Sequence, residues 1–144
     1  MIKNIRHTGI VVSDVDKSLE FYCDLLGFVV KKDLHEHGNY LDLFLGMESV
    51  KVRTIKLALE ERVAIELLNF SDPYKQKGVG LGLNNIGCTH VAMTVSDLEG
   101  LHNHLTAKGV EFNNAPSLSE DGKVKVAFCR DPDGTYLELV EELS

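Results

Sequence analysis

Two residue types recur in this sequence in a pattern suited to metal chemistry. His7 opens the run His-Thr-Gly-Ile-Val-Val-Ser-Asp, and His90 opens His-Val-Ala-Met-Thr-Val-Ser-Asp. Further along each half a glutamate stands between aliphatic neighbours, Ile65-Glu66-Leu67 and Leu137-Glu138-Leu139. Alternate side chains of a strand share a face, so each glutamate falls on the face opposite its two flanks. A carboxylate buried there alone is costly, and it needs a cation or hydrogen bonds. A single strand histidine reads as a packed core residue, and a single glutamate as a rim residue. Here the same pair occurs twice in equivalent places. That recurrence points to His7, Glu66, His90 and Glu138 as ligands of one divalent metal ion. Two imidazoles with two carboxylates suit Zn, Ni, Co, Mn or Fe, whereas Ca favours oxygen alone. An octahedral site would keep two positions open for water or substrate oxygens.

The elements that must position these residues are duplicated too, in tandem. The spacing predicts an α+β chain of two βαβββ modules, the first over about residues 1–72 and the second over about 84–144, joined by a linker over about 73–83. Ile5 to Val12 and Cys88 to Val95 are rich in β-branched residues and predict strands. Ser13 and Ser96 suit helix N-caps, with Asp16 and Glu99 as first-turn acids. Val15, Leu19, Tyr22 and Leu26 paint one helical stripe that Gly27 ends, and a second helix over Leu98 to Lys108 closes on Gly109. Further strands are predicted at Phe28 to Asp33, Val52 to Leu59 and Val63 to Asn69, and at Val110 to Asn113, Val124 to Cys129 and Thr135 to Val140. Asp131-Pro132-Asp133-Gly134 marks a tight turn. Leu41 to Val50 has no counterpart in the second half, and its apolar Leu43-Phe44-Leu45-Gly46-Met47 reads either as core or dimer packing or as a wall over the metal pocket.

Bulk properties exclude several classes. At 144 residues the chain can bury a core of its own. Twenty-two acids against 15 bases give a net charge of −7, which argues against a nucleic-acid partner. No apolar run reaches the roughly 20 residues a membrane helix needs, and no signal peptide is evident. Cys23, Cys88 and Cys129 lack CxxC spacing and read as reduced thiols, so a cytoplasmic protein is expected.

The strings at His7–Asp14, Phe21-Tyr22-Cys-Asp-Leu-Leu-Gly27-Phe28, Thr89-His90-Val-Ala and Asp131-Pro-Asp-Gly-Thr-Tyr-Leu-Glu138-Leu together resemble the vicinal oxygen chelate superfamily. That group includes glyoxalase I, methylmalonyl-CoA epimerase, extradiol dioxygenases and bleomycin and fosfomycin resistance proteins. The resemblance implies a curved open barrel around the metal, a homodimer, and a small-molecule substrate bound through two neighbouring oxygens. It implies a metal-dependent isomerase or lyase of glyoxalase or epimerase type, acting on an α-oxo compound or thioester through a metal-stabilised enediolate or enolate. Glu138 or Glu66 would then be the catalytic base. The other readings are an Fe(II) extradiol dioxygenase, which needs only two histidines and one carboxylate, and a ligand-sequestering protein of the bleomycin-resistance kind.

Two departures from the family pattern bear on the substrate. Where glyoxalase I carries an arginine for a glutathione carboxylate this chain has Val11, and its helper asparagine is replaced by Phe70, beside Asn69. Where the epimerases carry a second base, the alignment places Thr54 or Arg53, with Glu48 displaced into the inserted stretch. His35 and His37 read as a polar turn after a strand, His102 and His104 as separated helix residues, and Lys31, Lys32, Lys75 and Lys77 as surface charge, with Lys77 a weaker candidate for a substrate anion.

Overall fold

The computed structural model describes residues 1–72 and 82–143. The chain divides into two compact units, Met1–Lys77 and Gly78–Ser144. The linker stretch over 73–81, with Lys75 and Lys77, lies outside the described residues.

The first unit runs β1 (Thr8–Val11), α1 (Val15–Leu19), β2 (Val29–His37), α2 (Asn39–Leu45), β3 (Lys51–Leu59) and β4 (Arg62–Asp72). Its four strands form one sheet in the order β1-β4-β3-β2. β1 lies parallel to β4, and the other pairs are antiparallel. The second unit repeats this plan with β5 (His90–Thr94), α3 (Leu98–Ala107), β6 (Ser117–Leu118), β7 (Val124–Arg130) and β8 (Tyr136–Glu142), ordered β5-β8-β7-β6. Again the histidine strand is parallel to the glutamate strand. The predicted βαβββ modules are therefore present. Among the described residues no helix is long and apolar enough to cross a membrane.

Burial follows strand alternation. Ile65, Leu67, Leu137 and Leu139 are fully buried, so the glutamate between each pair is turned to the other face. Ile10 and Val12 are buried alongside, while Gly9 and Val11 face away from them. The turn before β8 is built by Asp131. Its side chain accepts from the backbone amides of Asp133 and Thr135 at 3.0 and 2.8 Å, and Gly134 takes φ 93°, which favours glycine.

The helices depart from expectation in three ways. The N-caps are Asp14 and Asp97, not Ser13 and Ser96; their carboxylates accept from Lys17 and Gly100 amides at 3.1 and 2.9 Å. An ionised cap also meets the positive end of the helix dipole, so the aspartate displaces the serine before it. The first helix is α-helical only to Leu19, and Glu20–Leu25 is π-helical, with Leu26 N donating to Phe21 O at 3.1 Å. The wider turn brings Phe21 and Tyr22 inward together, so Val15, Ser18, Phe21 and Tyr22 are buried while Leu19 and Leu26 are half-buried. Third, the inserted stretch begins inside a helix, α2, which starts at Asn39. Its Tyr40, Leu43 and Phe44 are exposed, and the residue it contributes to the core is Val50. Asp42 folds the segment back by accepting from the Ser49 and Val50 amides at 3.0 and 2.7 Å.

Strand ends also differ. β2 continues through His37, and β4 runs to Asp72. The strand expected at Val110 to Asn113 is reduced to one bridge, Phe112 with Cys129, and a short β6 forms after Pro116 instead. Proline offers no amide to a ladder, which splits this edge into two pieces.

Two outcomes are expected. Leu137→Ala should cost about 2–5 kcal/mol by emptying a fully buried site, and Asp97→Ala about 1 kcal/mol by removing a cap; urea denaturation that ranks them in the opposite order would overturn this packing. Burial pushes the Cys129 thiol up to about 12, with Asp131 adding to the shift. In the native protein Cys129 should therefore resist alkylation at mild alkaline pH and react only on unfolding. Because the folded pKa is raised, the thiol's contribution to stability is whole below the unfolded value and declines as pH climbs from about 9 towards 12.

Candidate metal centre

In the first unit the parallel β1–β4 ladder sets Gly9 against Glu66. His7 stands just before β1, two residues from Gly9, and its Nε2 lies 3.4 Å from Glu66 Oε1. With no side chain at Gly9, nothing on that position of β1 stands between imidazole and carboxylate. Glu66 is well covered, with 13% of its side chain exposed, which makes a positive partner necessary. Lys56 supplies one. It is the β3 residue directly across from Glu66, and its Nζ lies 3.4 Å from Oε2.

In the second unit β5 and β8 repeat the geometry, with Ala92 against Glu138 and His90 Nε2 at 3.1 Å from Glu138 Oε2. The residue across from Glu138 is now Phe128. Its ring meets the His90 ring edge-on, with centroids 5.3 Å apart and planes at 77°. Imidazole and carboxylate are thus positioned alike in both units, but one carboxylate has an ammonium beside it and the other an aromatic ring.

These distances fit a shared cation. Nitrogen and oxygen donors sit about 2.1 Å from a zinc-like ion, so two donors on one ion are about 3.0 Å apart at an octahedral angle and about 3.4 Å at a tetrahedral one. The observed 3.4 and 3.1 Å span that interval. Each unit, taken by itself, brings together one imidazole and one carboxylate. Among the described residues no group of three or more His, Cys, Asp or Glu side chains forms a cage already.

His35 and His37 are in β2 rather than in a turn, opposite Arg53 and Lys51. Arg53 forks Asp33 at 2.9 and 2.7 Å, and the guanidinium holds the Asp33 carboxyl below its usual range. It serves the β2–β3 pair and not Glu66. Thr54 is buried two residues along from Lys56, and Glu48 is exposed in the inserted segment. Asn69 donates to the Val12 and Ser13 carbonyls at 2.9 and 3.2 Å, which ties down the end of β1. Val11 is exposed on the His7 face. His102 packs on Phe112 with ring centroids 4.5 Å apart. Lys56 went unread, although Ile55-Lys56-Leu57 matches Ile65-Glu66-Leu67 with the charge reversed, and two such strings side by side signal a cross-strand ion pair.

Residues 4–139 match the glyoxalase/bleomycin resistance protein/dioxygenase superfamily. A probable lactoylglutathione lyase of Synechocystis is 31% identical over 97% of this chain and 96% of its own length. The lactoylglutathione lyase of Schizosaccharomyces pombe is 32% identical over 96% of the chain, which spans 47% of that longer protein. Among solved structures, a glyoxalase family protein of Bacillus cereus superposes with a TM-score of 0.90 over 100% of this chain and 97% of its own, at 21% identity, a likeness of fold. The glyoxalase I of Leishmania major gives a TM-score of 0.66 at 25% identity, over 98% of this chain and 88% of its own. With the motifs, the βαβββ plan and the family match in agreement over nearly its whole length, the chain belongs to the glyoxalase/bleomycin resistance protein/dioxygenase superfamily.

Proposed function

We propose that the protein is a divalent-metal-dependent lyase or isomerase acting on a small α-oxo compound or thioester, with His7, Glu66, His90 and Glu138 holding one ion. The observation that carries this reading is the pairing of imidazole with carboxylate at 3.4 and 3.1 Å at equivalent points of two sheets. When bound, such an ion supplies Lewis-acid polarisation of substrate oxygens, which makes a neighbouring C–H acidic. Four ligands from side chains also argue against the dioxygenase reading, which needs three, and a sequestering protein has no use for both pairs. The same reading takes the protein as a cytoplasmic homodimer, on the family resemblance and its free thiols.

Glu138 is the better candidate for the base. A base must give up its other contacts to take a proton, and Glu66 is held on Oε2 by Lys56. Phe128 takes the matching place across from Glu138, and among the described residues no lysine is ion-paired with that carboxylate. The proton abstracted from substrate carbon would pass to Glu138 and return to the neighbouring position. Val11 supplies no charge for a glutathione carboxylate, so a substrate other than the glutathione hemithioacetal is expected.

Purified without chelator, the protein should carry about one divalent ion per chain. His7→Ala and Glu138→Ala should each weaken it by orders of magnitude, and removing the ion should lower the melting temperature. Full occupancy in either variant, read by elemental analysis, would remove that residue from the ligand set.

On an accepted substrate, Glu138→Gln should reduce turnover by about 10²-fold or more, as loss of a general base does, along with exchange of the α-proton into deuterated solvent. Turnover on the glutathione–methylglyoxal hemithioacetal should be weak. Vigorous hemithioacetal turnover would show that Val11 does not exclude glutathione, and an active Glu138→Gln would move the base elsewhere.

A further inference from the structure

Glu66, Lys56 and Lys32 lie in one row across three strands of the first sheet. Lys56 is the direct partner of Glu66 on β4, and Lys32, the first paired β2 residue after an irregularity at Lys31, is the partner of Lys56. Directly opposed residues of antiparallel strands share a face, so two lysines stand beside each other on the face that carries His7 and Glu66. Lys31, one residue earlier, instead meets Glu61 at 3.5 Å. Like charges placed opposite one another destabilise a sheet. The fold does not require them, because the second unit builds the matching position beside Glu138 with Phe128.

We infer that Lys56 and Lys32 form a subsite for an anionic group, a carboxylate or a phosphate, at the end of the substrate remote from the reacting oxygens; this rests on the metal reading above. Without an ion, Glu66 neutralises Lys56 at 3.4 Å. Once the carboxylate also faces a divalent ion, its charge is shared, so Lys56 stays beside Glu66 but is no longer fully neutralised, and Lys32 adds a second positive charge next to it. Neighbouring strands are about 4.8 Å apart, so Lys32 is roughly 10 Å from Glu66 along the sheet, a span of a few bonds of substrate chain. The part of the substrate between them would pass beside the half-buried Leu68, which partners the buried Thr54 in the next row.

Three hydroxamates test this by calorimetric titration of the metal-bearing protein: acetohydroxamate, succinic monohydroxamate and 3-phosphonopropionohydroxamate. All three present the same oxygen pair, and only the last two carry a charged tail. At least one charged probe should bind about tenfold or more tighter than acetohydroxamate, the order expected when a charged hydrogen-bonding partner is gained, and the better of the two identifies the anion. The ratio of charged to neutral affinity cancels any change in the ion itself. It should fall towards unity in Lys32→Met and in Lys56→Met, shrink with added salt, and survive in Lys56→Arg. Metal retained with all three probes binding alike, or a ratio unmoved in both methionine variants, overturns the lysine subsite while leaving the metal reading intact. Absence of metal together with absence of binding by every probe overturns both.

Discussion

A carboxylate in mid-strand, between two aliphatic residues that must be buried, is the constraint on which the arrangement depends. The aliphatics fix the strand's orientation by alternation, and the strand then has no freedom over where the carboxylate points. Every neighbour on that face has to answer its charge. In the first unit the answer comes from His7 on one side and Lys56 on the other. In the second it comes from His90, with Phe128 closing the opposite side. The parallel ladders between histidine and glutamate strands are what make the imidazole available, since they carry the start of one strand to the middle of the other.

How much of this could be read beforehand depended on whether local pattern or distant pairing was in control. The paired His and Glu were legible because duplication repeats a chemical pattern in a way that chance rarely does. The modules followed from periodicity, and Gly27 and Gly109, both at positive φ, marked helix ends correctly. Lys56 was missed because its meaning lies in register, which a single strand does not reveal. His35 and His37 were read as a turn because they are polar, yet β2 is an edge strand and tolerates polar residues on its way out of the sheet. The π-helical turn escaped for another reason: the expected stripe through Leu19 and Leu26 assumed a constant period. α2 was legible as apolar but not as a helix, since seven residues give too short a stripe to count.

The two units are alike in backbone and unlike in chemistry. Here one carboxylate is held beside a cation and the other beside a ring, so two residues that began as copies are placed in environments of different charge. Glu66 is thus flanked by an imidazole and an ammonium, and Glu138 by an imidazole and the Phe128 position.

The turn at Asp131 has a consequence for how such chains can vary. Its buried carboxylate accepts two backbone amides and so meters the number of residues between β7 and β8. Because Leu137 and Leu139 already fix which way β8 faces, a residue gained or lost here would have to be taken up by the turn, at the expense of the amides that Asp131 accepts. The connection between β2 and β3 carries no such demand and has absorbed a whole extra helix. The β7–β8 connection is thus held to one length by a buried side chain, while the β2–β3 connection carries a helix and is tied back by Asp42.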